Sequence, residues 1–344
     1  MNKRNIIFMV SPLLIVFLLI MGLFILPNFT PITIIDIRTG CTYKVYEDHA
    51  TFYKAKGVRR DTLEIADEIL GRKVTGIEEY AFSEDECEIE TIIVSDTVKV
   101  IEPFAFVRND AVKKVVLGEN TKILRPCSFD TCNNLVTVEL NQGLEVIDEY
   151  VFSNCEKLEN VKIPDSVRYI GNKAFLKTSV PEFKIPESLV DIGDCVMADT
   201  PWEADKGKEV INQGYFVSEY TEREVVLIPE NVKYVAAEFY FTAREIYIPE
   251  GVEVLGNCLV YNNSSKTDCT FYIPSSVTRI STGDMYGEDC IPEIVSDLSK
   301  AKIVTTEGSY AEQYAIEKGI AYEIVDDVQA LYDAALERQK AEQE

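Results

Sequence analysis

From Ile77 onward one six-residue pattern of apolar and polar positions returns: IEEYAF at Ile77, IEPFAF at Ile101, LRPCSF at Leu124, IDEYVF at Ile147, IGNKAF at Ile170 and IGDCVM at Ile192. The intervals are 24, 23, 23, 23 and 22 residues. Weaker phrases resume the frame at Val235, Leu255 and Ile280. Self-similarity at a fixed period of this length predicts a solenoid, in which each coil buries its apolar side only against its neighbours.

A second element lies between the phrases, clearest at Leu158-Glu159-Asn160-Val161-Lys162-Ile163-Pro164. Val161 and Ile163 are two apart and share one face of a short strand, while Asn160 and Lys162 share the other. The Ile-Pro pair recurs at Ile185, Ile228, Ile248 and Ile273. Proline has no N–H and a fixed φ, so it ends the strand. The I-x-x-x-A-F phrase spaces its apolar residues for one helical or 3-10 turn on the back of the coil. The expected class is α/β, with short parallel strands on a concave face and turns and short helices on a convex face.

Taken together, I-x-x-x-A-F-x-x-C-x-x-L-x-x-V-x-I-P-x-S-V resembles the BspA-type leucine-rich repeats of bacterial surface proteins, and residues 147–170 nearly spell it out. The resemblance runs from about Leu63 to Ile280, with departures at Met197 in the Phe slot and Asn109 in the Cys slot. It implies a capping segment over residues 28–76, repeats over 77–199, and a hairpin-like insertion over 200–229. Irregular repeats and a terminal cap, marked by Glu307-Gly308-Ser309-Tyr310-Ala311-Glu312, would fill 230–324. It also implies adhesion or surface recognition through the concave sheet of a leucine-rich-repeat solenoid.

Lys3 and Arg4 precede Ile6 to Leu26, 21 residues without a charge. At about 1.5 Å per residue such a helix crosses roughly 30 Å of hydrocarbon. No small-x-small site follows it, so residues 1–27 read as a cytoplasmic stub and uncleaved transmembrane signal-anchor, with a cleaved signal as the other reading. The basic flank keeps the N-terminus inside and places the repeat domain outside the cell membrane. Residues 325–344 form an acidic amphipathic helix, with Val328, Leu331, Tyr332, Ala335 and Leu336 on one face. It is expected to close the open end of the solenoid, or else to bind a partner.

Composition narrows the function. Lys plus Arg number 34 against 58 Asp plus Glu, a net charge of -24 in 344 residues, which repels nucleic-acid backbones. A single histidine, His49, leaves little for nucleophilic triads or zinc. The nine cysteines include no C-x-x-C pair. Cys132 and Cys155 share one repeat slot and read as buried packing thiols, although adjacent coils would also allow a bridge. Trp202 is expected to pack the insertion onto the solenoid. Neither a phosphate-binding loop nor a hydrolase motif is present, and acidic pairs such as Asp326-Asp327 and Glu288-Asp289 read as surface charge.

The outward positions of seven strands carry five acids and five bases, so the strand face is neutral. Aromatic and cationic side chains there are the natural contacts for a ligand, and Tyr247, Tyr272, Arg244, Lys162 and Lys184 are the candidates. The expected function is non-enzymatic binding of an extracellular protein or glycan by a single-span, cofactor-free and metal-free membrane protein. The alternative is an envelope structural or assembly factor docking a partner in the same membrane.

Overall fold

The computed structural model describes residues 30–82, 87–184, 186–193, 195–202, 209–212, 215–218, 224–235, 239–240, 243–256, 260–261, 268–280 and 298–343. The predicted span over 1–27 lies outside them, as do Ile185, Cys258, Glu288 and Asp289. Among the described residues no helix is long and apolar enough to cross a membrane.

The chain opens with an antiparallel cap, β1 (Ile32–Ile35), β2 (Thr42–Val45) and β3 (Ala50–Lys54), that feeds a parallel stack. Each coil as far as Val161 then contributes two strands. The first residue of every phrase pairs directly with its counterpart, Ile77 with Ile101, then Leu124, Ile147, Ile170 and Ile192. The inter-phrase strands build a second sheet, with Thr62, Thr91, Lys114, Thr137 and Asn160 in register.

The phrases are not helical, which corrects the expected helices on the back: the molecule is a β-solenoid with few helices. Their fourth residues, Tyr80, Phe104, Cys127, Tyr150, Lys173 and Cys195, all have φ between 50° and 57°. Four residues later, Arg108, Thr131, Asn154, Lys177 and Asp199 have φ between 55° and 60°. The reason lies in the backbone hydrogen bonds. Phe104, Phe106 and Arg108 donate their N–H groups to Pro126, Ser128 and Asp130 of the next coil, while Ala105, Val107 and Asn109 close turns onto Glu102, Phe104 and Phe106. Alternate amides point along the solenoid and into the coil, which an α-helix cannot do. Each left-handed residue costs about 1–2 kcal/mol, and each hydrogen bond returns about 1 kcal/mol.

Inside, Phe52 of the cap and the phrase phenylalanines form a spine. Phe52, Phe82, Phe106, Phe129, Phe152 and Phe175 follow one another with ring centroids 4.5–5.4 Å apart. Beside it, Cys132 and Cys155 are unbridged thiols that donate to the carbonyls of Phe106 and Phe129 at 3.0 and 3.1 Å. Asn109 fills the same slot and donates to Phe82 O at 2.7 Å. Trp202 is buried edge-on against Phe183, at the end of this core.

A second block has its own core. It restarts at a hairpin, Glu209–Asn212 with Tyr215–Ser218, whose second strand pairs in parallel with Tyr234–Val235. Val235, Leu255 and Ile280 then stack in register, so the weak phrases keep the repeat frame. Its other sheet runs from Val225–Leu227 through Glu245–Tyr247, Cys269–Tyr272 and Ala301–Thr305 to Ala321–Ile324. The cap helix α1 (Tyr310–Lys318) starts at Ser309, whose Oγ accepts from Glu312 N, and stops at Gly319 with φ 67°. The last helix, α2 (Val328–Gln343), contacts the three strands starting at Val225, Glu245 and Cys269. It therefore covers a sheet face, not the open end that the sequence suggests.

Candidate functional site

The outward side chains of the inter-phrase sheet are the candidate surface. In the first block they pair from coil to coil: Lys113 with Glu90 at 2.6 Å and Lys114 with Glu139; beside the phrase strands Lys122 pairs with Glu145 at 2.9 Å in the same way. Registered stacking sets opposite charges side by side, and exposed pairs of this kind each contribute under about 1 kcal/mol. That pairing neutralises the face.

The two sheet faces differ. On the second block Tyr332 and Ala335 of α2 pack onto Tyr247, with Tyr272, Leu227, Leu331 and Leu336 around them. The rings of Tyr247 and Tyr272 stack with centroids 4.0 Å apart, and Tyr247 is 3 % exposed. Its phenol donates to Glu245 at 3.0 Å and accepts from Arg338 at 3.2 Å. Burial raises the Tyr247 pKa well above its ordinary value, and it raises that of Tyr332 to about 12. The expectation that the two tyrosines stand exposed on the sheet is corrected, because the amphipathic helix buries its apolar stripe on them. Arg244 lies in the same sheet and faces Glu224 at 3.7 Å.

Lys162 and Lys184 are brought together on the first block, at a break in the ladder. Lys113 N donates to Glu90 O, Val136 N to Lys113 O and Glu159 N to Val136 O. In the next coil that position is Pro181, which has no N–H to give to Glu159. Among the described residues the strand Asn160–Val161 is the edge of its sheet. Val161 is half-buried, whereas its counterparts Val115 and Val138 are fully buried.

The two coils remain tied at both ends of the break. Ser179 Oγ donates to Glu156 O at 2.6 Å, and Lys184 Nζ lies 3.0 Å from Asp165. Lys184 also holds the Asp165 carboxyl below the usual range by its hydrogen bond. Between the ties opens a groove of about 760 Å³, with Val161, Ile163 and Phe183 among its apolar lining and Glu159, Lys162, Glu182 and Lys184 among its charged residues. Lys162 makes no ion pair among the described residues. An apolar floor with a few convergent charges is a setting for ligand recognition. Sequence reasoning picked out both lysines but missed the groove, whose signal was Pro181 at a strand position that elsewhere donates.

Residues 75–201 match the family model for the BspA type leucine rich repeat region, in six copies. Among solved structures the chain is similar to a leucine rich cell surface protein from Faecalibacterium prausnitzii, at 18% identity and a TM-score of 0.40, covering 84% of this chain and 98% of that one. It is similar to the pneumococcal vaccine antigen PcpA at 15% identity and a TM-score of 0.46, covering 87% and 100%. A leucine-rich repeat protein from Bacteroides ovatus is similar at 15% identity and a TM-score of 0.31, covering 88% and 100%. A comparison with curated proteins finds no match. The repeat match carries the assignment: residues 75–201 are a run of BspA-type leucine-rich repeats.

Proposed function

We propose that this chain is a non-enzymatic recognition protein, anchored by residues 6–26, which binds an extracellular protein or glycan on the open strand face of its first block. The observation that carries the reading is the groove beside Lys162 and Lys184, where the ladder stops and apolar core reaches the surface. Burial of Tyr247 and part of Tyr272 under α2 favours the first block over the second. The uncharged run Ile6 to Leu26 supports the anchor. The PcpA likeness adds nothing about ligand.

Binding of the detergent-solubilised full chain to an array of matrix proteins, mucins, glycans and cell-wall fragments tests this. Saturable binding that is lost in Lys162→Glu and kept in Tyr247→Ala supports it. If nothing on the array binds, the role passes to the second reading, an envelope assembly factor with a partner in the same membrane. The short tether between Leu26 and β1 favours that reading.

A further inference from the structure

The opening strand carries an unusual surface. Ile32, Ile35 and Ile37 are 40 %, 62 % and 95 % exposed, on β1 and the turn after it. Among the described residues β1 is an edge strand paired only with β2, and exposed apolar edges are liabilities that proteins ordinarily blunt with charge. Arg38 extends from the same turn with its side chain 77 % exposed, its Nε 3.2 Å from Asp36 Oδ1 and the rest of its guanidinium turned outward.

Two features of the chain say what covers this edge. First, five residues separate Leu26, the end of the uncharged run, from Ile32. At about 3.5 Å per residue, Ile32 lies within roughly 20 Å of where that run ends. Second, charge is partitioned along the chain. Residues 28–76 hold eight Lys and Arg against seven Asp and Glu, whereas residues 77–344 hold 24 against 51. An acidic body is repelled by an anionic bilayer, so the near-neutral capping segment is the end that approaches it.

We propose that β1 and the Ile37–Arg38 turn insert into the headgroup surface of the membrane that holds residues 6–26, seating the solenoid cap-down on the bilayer. This rests on the anchored reading given above. The isoleucine side chains enter the boundary between headgroups and acyl chains, and Arg38 faces lipid phosphates, as amphipathic interfacial segments do. The first block is then held close to the membrane, with its open strand face rising from it.

The test is tryptophan quenching in the full-length protein, reconstituted into phosphatidylcholine and phosphatidylglycerol vesicles brominated near the headgroup. The one native tryptophan, Trp202, is buried against Phe183 and gives the baseline. Emission added by Phe17→Trp reports the anchor and emission added by Ile35→Trp reports the contact. Loss of most of both added signals, with the Trp202 baseline unchanged, is the expected result. Quenching at position 17 with emission at 35 like the baseline overturns the contact and leaves the anchor standing. Quenching at neither overturns both. A blue-shifted but unquenched signal at 35 means that protein, such as a second copy, covers the edge, and this also overturns the proposal.

Discussion

The phenol of Tyr332 donates to the carbonyl of Ile228 at 2.8 Å, joining the last helix to a strand end 104 residues earlier. Burial raises the folded-state pKa of Tyr332 to about 12, from an ordinary value of 10. The neutral phenol is favoured by folding, so its contribution is fully present below pH 10 and is lost as pH rises toward 12. Tyr247 shifts in the same direction. We expect α2 to leave the sheet within this window, exposing Tyr247 and Tyr272. Phenolate absorbance should show a late-titrating class coinciding with protease cleavage of the C-terminal helix. Titration of all 18 tyrosines together near pH 10 would contradict this.

The spine predicts unequal costs for similar substitutions. Phe129 is fully buried between Phe106 and Phe152, so Phe129→Ala should cost about 3–5 kcal/mol. Phe104 is half-buried and stacks on Tyr80 outside the core. Phe104→Ala should cost about 1 kcal/mol, the order of an aromatic pair. Denaturant midpoints of the two variants check the difference, and equal midpoints would contradict it.

Thr131 is a β-branched residue at φ 60°, a conformation that favours glycine. Thr131→Gly should raise stability by up to about 1 kcal/mol, and Thr131→Val should lower it by a similar amount. A left-handed backbone at this slot is what produces the opposite signs, and the two melting temperatures measure them.

Pro181→Val restores the missing donor opposite Glu159. The expected outcome is a gain of about 1 kcal/mol, slow amide exchange at position 181 and a narrower groove. Fast exchange at 181 would show that something other than the proline holds the coils apart.

Much of the fold was legible because the phrase residues Ile77, Phe106, Phe129 and Ile147 occupy slots whose burial recurs every coil. The left-handed positions were not, because Tyr80, Cys127 and Lys173 carry none of the glycine signal that usually marks them. The pattern of α2 revealed an apolar stripe but not its target, since Leu331, Tyr332 and Ala335 would pack as well on a solenoid end as on Tyr247. Lys162 and Lys184 were picked as outward strand residues, yet the groove between them lies where the ladder ends at Val161, an end that neither lysine marks.

The most direct test of the account places a photo-crosslinking amino acid at Lys162 on the full chain in intact cells, with the same residue at the exposed Glu317 of α1 as control. A discrete adduct from position 162 and none from 317 is predicted. Adducts from 317 but not from 162 would contradict the claim that the broken ladder is where this protein meets its partner.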